Sequence, residues 1–484
     1  MAGSFSPITR DPYLFCRSGA ILNDKRNDRV ASKLLHRMVT EESNVIHRFS
    51  ENAAEQKAFY RLINNAKVSS SGLIGKIVSP LRQRVEGKHV LILGDSSENS
   101  LKRIYSQLKN PKEVGVLSDN KTPGFHMHAH LCIDAENEGA LGISDLMTWC
   151  RKPSRASKAQ KARSMATRNW SEKESYKWHL GLRRSLEVVE AARQVTFIFD
   201  READFAQSWE SVLSHNCDAV IRMSRSWPVA HPDLEQQPMV AQDYLEDTEW
   251  AGSYWIKLTK LERRNYSKNK PQRRKGRKAK IQVRFREIPL ERFIGLKRPL
   301  YLVEAKEAPE TVPKGEEPVH WYLLTTHAVE DFEQACQVIR WYKLRWMIEQ
   351  LFRLIKRKGF DIEGSHLTDF KAIEKQLILT VGAAFRVMQL LLARDNPNAQ
   401  PIGDAFSQEQ IRCLSALNKK LEGKTAKLKN PYPRDRMSWA VWVIGRLGGW
   451  KGRQSQAPPG PIRLKRGYEK FEAIFEGWMI FQME

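Results

Sequence analysis

Four residues in the last third of the chain combine a phenol, a guanidinium, a carboxylate and an ammonium group: Tyr342, Arg345, Glu349 and Lys356. At about 100° per residue, a helix through this stretch projects all four side chains within about 60° of one another. Such a stripe can hold a divalent metal ion through its carboxylate and an anion through its cations. A solvated stripe with an Arg345–Glu349 ion pair is the simpler alternative, so the remaining sequence must decide between them.

The rest of the same predicted helix has a conventional amphipathic pattern with one exception. An apolar face is formed by Leu344, Met347, Ile348, Leu351, Leu354 and Ile355. The side expected to face water carries Lys343, Gln350, Arg353 and Arg357, and with them Trp346. An exposed tryptophan costs free energy unless something stacks on its ring, so Trp346 is a candidate binding residue.

Two aspartates follow short apolar runs elsewhere in the chain. The run VLILGD ends at Asp95, and VTFIFD ends at Asp200. Runs of this kind suit strands that are covered on both faces in a mixed α/β sheet. Ligands bind beyond strand ends in such sheets, so both carboxylates are candidates for chemistry, with a turn or a helix cap as the alternative. Together with Glu349 they would supply oxygen ligands for Mg²⁺, which can assist an in-line phosphoryl displacement.

The charge balance points to a polyanionic partner. The 484 residues include 80 lysines and arginines against 56 acidic residues, a formal net charge of +24. No apolar run reaches the roughly 18 residues of a membrane-spanning helix, which favours nucleic acid over a membrane. A merely basic soluble protein is the alternative. The first residues contain no apolar stretch long enough for a signal peptide, so a cytoplasmic protein is expected.

Three regions with different patterns flank and interrupt the expected core. Residues 1–75 predict a small helical DNA-binding domain, residues 76–375 an α/β catalytic domain with a β-rich insertion at about 205–330, and residues 376–484 a helical domain for subunit contacts. The insertion contains residues 263–280, with ten basic side chains and no acid. An extended loop that contacts phosphates is expected there, and a solubilising segment is the alternative.

The histidine and cysteine patterns offer only one competing metal site. His126, His128 and His130 share one face of a predicted strand, where three imidazoles could bind zinc. A sheet face lined with histidine is the preferred interpretation, because no cysteine or carboxylate lies at a ligand spacing. Six scattered cysteines without a C-x-x-C pair are expected to be reduced thiols.

The spacing Tyr342-x2-Arg345-x3-Glu349-x6-Lys356 resembles the Y-R-E-K signature of bacterial cut-and-paste DDE transposases of insertion-sequence family four. Other stretches resemble the family in the same order along nearly the whole chain, namely AFYRLINNAKVS, EKESYKW, DREAD, RLGG and EGW. The stretch LGDSSENS departs from the family, which often has threonines after its first aspartate.

The resemblance implies an RNase H-like mixed-sheet catalytic core with a β-strand insertion, flanked by helical N- and C-terminal domains. It implies that Asp95, Asp200 and Glu349 bind Mg²⁺, for which Mn²⁺ would substitute, and that Tyr342, Arg345 and Lys356 hold phosphates. The family excises through a DNA hairpin, so Trp346 and Trp321 would stack on a flipped base. Further DNA contacts are expected from Arg26, Arg29, Arg61, Arg273, Arg274 and Arg277.

The function expected from this resemblance is cut-and-paste transposition. The partners would be the double-stranded DNA of transposon ends and target, and a second copy of the chain in a synaptic complex, without a membrane; the setting would be bacterial and nucleoid-associated. Two alternatives remain open: an inactive, transposase-derived repressor or inhibitor that only binds DNA, and an RNase H-like nuclease that cuts branched DNA.

Overall fold

The computed structural model describes residues 22, 24–41, 43–229, 239–259, 261–265, 270–290, 298–356, 359–394, 396–452 and 457–481. Within these ranges, only the backbone is described at 158, 161, 162, 165, 261–265, 270–274, 461, 480 and 481.

Helices occur in the first, the middle and the last parts of the described chain. They are α1 Lys25–Glu41, α2 Ile46–Phe49, α3 Ala53–Asn64, α4 Ser70–Val78, α5 Leu81–Arg84, α6 Lys158–Thr167, α7 Tyr176–Val188, α8 Ala206–Ser214, α9 Ala241–Glu246, α10 Phe332–Leu344, α11 Trp346–Ile355, α12 Phe370–Ala393, α13 Gln408–Leu421, α14 Met437–Leu447 and α15 Pro461–Phe481.

The strands lie between residues 89 and 325. They are β1 His89–Ser100, β2 Gly115–Val116, β3 Pro123–Asp134, β4 Ala140–Trp149, β5 Gln194–Phe199, β6 Asp218–Arg222, β7 Gly252–Leu258, β8 Leu261–Asn265, β9 Lys270–Arg274, β10 Arg277–Ile288, β11 Leu300–Glu307 and β12 His320–Thr325.

The chain divides into two compact units. The first contains Met1–Arg193 and Trp346–Glu484, and the second contains Gln194–Arg345. The predicted domain boundaries at residues 75 and 375 stay a prediction.

The first unit has an antiparallel sheet built around β3. Strand β3 pairs with β1 on one side, and with β2 and β4 on the other. Strand β4 is buried along its whole length, and so is nearly all of β3. Helix α7 contacts β1, β3 and β4, while α11 contacts β1. The apolar residues of both central strands are explained by this cover of helices.

The second unit has a mixed sheet with the order β5-β6-β12-β11-β10-β7. The β5–β6 pair is parallel, and the other pairs are antiparallel. Helix α10 contacts β5, β6, β10, β11 and β12. The predicted α/β class with a mixed sheet is thus confirmed, whereas the RNase H-like assignment and the flanking helical domains stay predictions.

Helix α12 is the centre of the first unit. It contacts α1, α3, α4, α11, α14, α15 and β4. Its buried polar side chains tie distant segments together: Glu374 accepts hydrogen bonds from Ser70 and Thr148, and Gln389 donates to the carbonyl of Ala140 at 2.8 Å. Because a buried polar group is costly without a partner, these contacts fix how α4 and β4 sit against α12.

Among the described helices, α12 is long and apolar enough to cross a membrane by length and composition. The sequence-based statement that no stretch reaches this length was therefore wrong for this helix. However, 78% of its most apolar window is buried inside the protein. A central core helix passes the same test, and the contacts of α12 are those of a core helix.

The basic segment 263–280 is not an extended loop in its described part. Strands β8 and β9 form an antiparallel hairpin with Arg263 opposite Gln272, and residues from Arg277 onward belong to β10. Residues 266–269 lie outside the described part of the chain. Strand pairing satisfies the backbone groups that a solvated loop would leave to water. The predicted insertion also contains a helix, α8, and strand β6, which pairs with β5.

The cysteines agree with the expectation of reduced thiols. All five cysteines in the described residues, Cys132, Cys150, Cys217, Cys336 and Cys413, are free. Cys16 lies outside the described residues.

We expect Gly181→Ala to destabilise the first unit. A Cβ at Gly181 in α7 would lie 2.5 Å from Cε1 of His130, which is buried and hydrogen-bonded. Overpacking costs about 1–3 kcal/mol, whereas the gain in helix propensity is about 1 kcal/mol. Urea denaturation followed by circular dichroism measures the net loss.

The matched control is Gly477→Ala in α15, where a Cβ would meet no heavy atom within 4 Å. This variant should be neutral or slightly more stable. Equal midpoints for the two variants would contradict the close packing of α7 on His130.

Candidate active site

The stripe of four polar residues does not lie on one continuous helix. Helix α10 ends at Leu344, Arg345 is its C-cap, and α11 begins at Trp346. The N–H of Arg345 bonds to the carbonyl of Tyr342 at 3.1 Å, a short bond that interrupts the helical ladder. The prediction of a single helix over 342–356 was wrong, and the break assigns Tyr342 and Arg345 to the second unit and Glu349 to the first.

Asp95 lies inside a strand rather than at its end. Strand β1 continues to Ser100, and Asp95 is opposite Ala129 of β3. Its side chain is half-buried, and its Oδ1 accepts the N–H of Ser96 at 2.8 Å. The apolar run ends here because the side chains from Asp95 to Glu98 are only half-buried, not because the strand stops. A half-buried carboxylate on a central strand is a suitable metal ligand.

Glu349 is carried by α11, which contacts β1 and α12 through an apolar face. Residues Met347, Ile348, Leu351 and Ile355 are buried as predicted from the helical pattern, and Leu354 is half-buried. Glu349 is half-buried on the same helix. Asp95 and Glu349 therefore belong to two elements that pack on each other.

Trp346 and Lys356 lie at the two ends of α11. Trp346 is 46% exposed. Lys356 lies in the turn after the helix, and burial lowers the pKa of its ammonium group, against the opposing effect of Glu363 and Glu98. Glu363 accepts the N–H of Ser100 at 3.1 Å, so it lies at the end of β1. Sequence reasoning missed both glutamates because Glu98 is far from Lys356 in the sequence and Glu363 follows the end of α11.

In the second unit, Asp200 follows directly after β5, as predicted. Its side chain accepts the N–H of Glu202 at 2.9 Å and caps the short 3₁₀ helix Arg201–Ala203. The capping alternative is thus realised, but a carboxylate has further lone pairs available after one such bond.

Tyr342 is buried rather than open to solvent. It is 5% exposed, and its ring meets that of Trp321 edge to face at 5.3 Å between centroids. Burial raises the pKa of its hydroxyl, while Arg345 and Arg222 lower it and Asp200 raises it. A hydrogen bond joins the Tyr342 hydroxyl to Arg222. The phenol therefore lies beside Asp200, Arg222 and Arg345 in one cluster.

Arg222 was not predicted from the sequence. It is the last residue of β6, and burial lowers the pKa of its guanidinium, as do the neighbouring charges of Arg201 and Arg345. An arginine at the end of an apolar run can indicate a binding residue at the end of a strand. Here a second arginine, Arg225, follows three residues later, and the sequence does not show which of the two side chains points inward.

Asp204 of the DREAD stretch has a structural role. It is 1% exposed and accepts the N–H groups of Ser224 and Arg225 and the indole N–H of Trp227. A buried carboxylate with several donors is strongly held. Asp204 thereby fixes the segment that follows Arg222.

The remaining predicted DNA contacts are distributed over both units. Arg26 and Arg29 on α1 and Arg61 on α3 are exposed. The side chains of Arg273 and Arg274 lie outside the described part, although their backbone belongs to β9. Arg277 bonds to Glu307 at 3.0 Å and also to Glu316, so its guanidinium already has carboxylate partners.

The carboxylates of the candidate site are possible ligands of a metal ion. Among the described residues, no three histidine, cysteine, aspartate or glutamate side chains are grouped closely enough to hold a metal ion by themselves. Mg²⁺ commonly takes only one or two protein carboxylates and completes its octahedron with water and substrate phosphate. Asp95 and Glu349 are half-buried and lie on contacting elements, so their carboxylates suit an ion of this kind. Water and substrate phosphate would have to supply its remaining ligands.

Two of the three histidines of β3, His128 and His130, form a buried network instead of an open site, whereas Nε2 of His126 lies 3.2 Å from the carbonyl of Val116. Nε2 of His128 lies 3.1 Å from Nε2 of His130, and Nδ1 of His130 lies 2.8 Å from the Ser185 hydroxyl. On its other side, Nδ1 of His128 lies 3.0 Å from the Ser96 hydroxyl. Burial lowers the pKa of His130 to about 3 and that of His128 well below its usual value. Both imidazoles are therefore neutral, and their nitrogens are used in hydrogen bonds.

A comparison with known families gives one match. Residues 180–386 match a family model described as a transposase DDE domain. The matched segment includes Asp200, Tyr342, Arg345, Glu349 and Lys356, whereas Asp95 lies before it. The match supports a DDE-type transposase, an enzyme class that acts on DNA and generally uses divalent metal ions.

We expect acid to weaken the fold through His130. Its folded pKa of about 3 is below its ordinary value of 6.5, so this contribution is complete above about pH 6.5. It is lost at about 1.4 kcal/mol per pH unit as the pH falls toward the folded value. Asp145, with a pKa raised to about 7, acts in the opposite direction.

The measurement is therefore a difference between two proteins. Urea denaturation is compared for the unmodified chain and His130→Asn between about pH 7 and pH 5. The variant is expected to lose the His130 part of the slope. Parallel pH profiles would contradict a neutral buried His130.

Proposed function

We propose that this chain is a DNA transposase that binds the ends of a mobile element, cuts them through a hairpin intermediate and joins them to target DNA. The match of residues 180–386 to a transposase DDE domain carries the proposal. The Y-R-E-K spacing supports the more specific assignment to insertion-sequence family four. A bacterial, nucleoid-associated setting and a homodimeric synaptic complex belong to the same proposal.

The cluster around Arg222 in the second unit supports a role in phosphate binding. Arg222 is destabilised by burial and by the charges of Arg201 and Arg345. A phosphate in this cluster would relieve that repulsion, and a guanidinium fork suits two of its oxygens. The hydrogen bond that Arg222 donates to the Tyr342 hydroxyl oxygen fixes the orientation of the guanidinium. We propose that Arg222 and Arg345 bind a phosphate next to the cleaved bond.

We propose Asp95, Asp200 and Glu349 as the metal-binding residues. A bound Mg²⁺, or Mn²⁺ in its place, would supply charge neutralisation and an activated oxygen for an in-line displacement. The role of the protein is to hold the carboxylates and to orient the DNA. Lys356, held as a partly buried cation near Glu98 and Glu363, would act as a point charge on the backbone.

Trp346 is proposed to stack on the base that leaves the helix during hairpin formation. Its ring is exposed at the start of α11, whereas the ring of Trp321 already packs against Tyr342. Exposed indole is a suitable surface for any unstacked base. Trp321 would then act mainly by supporting Tyr342.

Glu349→Gln should abolish cleavage, because it removes a metal ligand, and leave binding to element ends unchanged or slightly tighter. Loss of a residue that merely supports a metal ligand costs about 10- to 100-fold, so a direct ligand should cost more. Cleavage of a labelled end duplex with and without Mg²⁺ and a gel-shift assay measure the two effects. Gln350→Ala on the same helix is the control and should retain both activities.

The same experiment separates the alternatives. Absent cleavage in the unmodified chain, with intact end binding, would favour an inactive DNA-binding repressor or inhibitor. Cleavage that does not depend on metal would contradict the proposed metal site. Cleavage of branched DNA irrespective of end sequence would favour a junction nuclease. Joint loss of binding and cleavage in Glu349→Gln would remove Glu349 from the metal site.

Trp346→Ala should slow hairpin formation by about 10-fold or more while first-strand nicking changes little, since stacking on one base is worth about 1–3 kcal/mol. Trp346→Phe should restore most of the rate. Denaturing gels of end-labelled DNA resolve nicked and hairpin products over time. Equal slowing of both steps would count against a stacking role.

A further inference from the structure

One face of the sheet in the second unit carries an exposed tryptophan. Along β7, the exposed residues Ser253, Trp255 and Lys257 alternate with half-buried ones. Trp255 is 62% exposed, the largest value for an aromatic side chain in the described residues. Strand β7 is the last strand in the order of the described sheet. An indole in this position is costly in water unless a partner covers it.

The neighbours of Trp255 on this face are lysines. Residues directly opposite each other on antiparallel strands project to the same side. Lys280 of β10 is opposite Trp255, and Lys278 is opposite Lys257. On the next strand, Lys306 is opposite Gln282, which belongs to the same face. The four lysines and Trp255 therefore form one surface, which we call the Trp255 face.

Contacts elsewhere on the sheet leave the Trp255 face accessible. Helix α9 covers the other end of this side, where Arg284 and Arg286 donate to the carbonyls of Glu246 and Tyr244. Helix α10 packs on the opposite side of the sheet. Lys257 and Lys278 are exposed, and Lys280 lies 3.5 Å from Glu310 in an exposed pair that neutralises little of its charge.

Two acidic residues near the Trp255 face already have cationic partners: Glu310 lies beside Lys280, and buried Glu304 is bound by Arg284. Glu307 alternates with Lys306 along β11 and therefore projects away from the Trp255 face. It bonds to Arg277, which also binds Glu316. The Arg277–Glu307 pair is thus separated from the Trp255 face by the sheet, and the exposed Lys257 and Lys278 give that face a positive excess.

We propose that the Trp255 face binds an unpaired stretch of DNA, with one base stacked on Trp255 and the backbone along Lys257, Lys278 and Lys306. Lysines attract any polyanion, but a flat indole adds a partner with an exposed ring. The faces of a base are covered by its neighbours in a duplex and are open in a single strand. Stacking and backbone charge together are the usual basis of sequence-tolerant single-strand binding.

This site goes beyond the proposed end cleavage and does not require it. The residues of the Trp255 face differ from those proposed for metal and end-phosphate binding. Binding to a single strand without element sequence and without metal therefore tests the face alone. If the chain did not bind such a single strand, the cleavage proposal would be unaffected. Conversely, a chain that does not cleave DNA would still bind the single strand if the Trp255 face acts as proposed.

The test is fluorescence anisotropy with a labelled single strand of about 15 nucleotides, within the usual site size, and with the corresponding duplex. Trp255→Ala should weaken single-strand binding about 5- to 100-fold and change duplex binding little. Trp255→Phe should keep most of the affinity. Lys257→Ala with Lys278→Ala should lower the salt slope by about 1.4, or about 0.7 for each lost phosphate contact.

Tyr105→Ala is the matched control, because Tyr105 is 39% exposed in the first unit. It should bind the single strand as the unmodified chain does. Unchanged affinity in Trp255→Ala, an equal loss in Tyr105→Ala, or equal losses for single strand and duplex would each overturn the proposal. Circular dichroism checks the fold of every variant.

If Trp255→Ala does not fold, the unmodified chain decides. A single strand carrying bromodeoxyuridine is crosslinked by ultraviolet light, and the modified peptide is identified by mass spectrometry. Modification of the peptide that contains Trp255 supports the site, and crosslinks found only in other peptides overturn it.

Discussion

The burial of one face of α11 determines where the carboxylate of Glu349 can be. Met347, Ile348, Leu351 and Ile355 are each at most 5% exposed against the rest of the first unit. Each such side chain stabilises the packed state by on the order of 1.5–3 kcal/mol, as an upper estimate. Because α11 contacts both β1 and α12, Glu349 on its other side has little freedom relative to β1. A variant that loosens the packing of α12 is therefore expected to loosen the position of Glu349 relative to β1 as well.

The amphipathic pattern of residues 342–356 was sufficient to predict the buried face of α11 and the exposure of Trp346. It was not sufficient to predict the break at Arg345, because neither proline nor glycine, the usual local signals of a helix break, occurs there. The end of the apolar run at Asp95 was misleading for a related reason. Hydrophobicity reports the covering of a strand, whereas pairing with β3 sustains β1 to Ser100. The position of Asp200 directly after a strand was predicted correctly, because the burial of β5 and its pairing with β6 both end at Phe199.

The cluster around Tyr342 shows which part of a site a one-dimensional pattern misses. Tyr342 and Arg345 are close in sequence, but Arg222 lies on β6 and reaches them only because α10 packs on that strand. Such long-range neighbours leave no periodic signal in one sequence. Their energetic signature is nevertheless clear, since burial and the charges of Arg201 and Arg345 lower the pKa of Arg222. Perturbed pKa values are typical of functional sites, in agreement with the phosphate site proposed for this cluster.

The two sides of the sheet in the second unit differ in how far their basic side chains are paired with carboxylates. On the side of Arg277, glutamates neutralise the cation, and the pairing contributes to the fold. On the side of Trp255, Lys280 lies beside Glu310, whereas Lys257 and Lys278 are exposed to solvent next to the indole ring. Alternation along a strand allows this separation, because adjacent residues project to opposite sides. A strand such as β10 can therefore stabilise the sheet with Arg277 and Ile281 while its intervening lysines stay available to a polyanion. A basic stretch in a sequence is thus best divided by strand alternation before its charge is assigned to a partner.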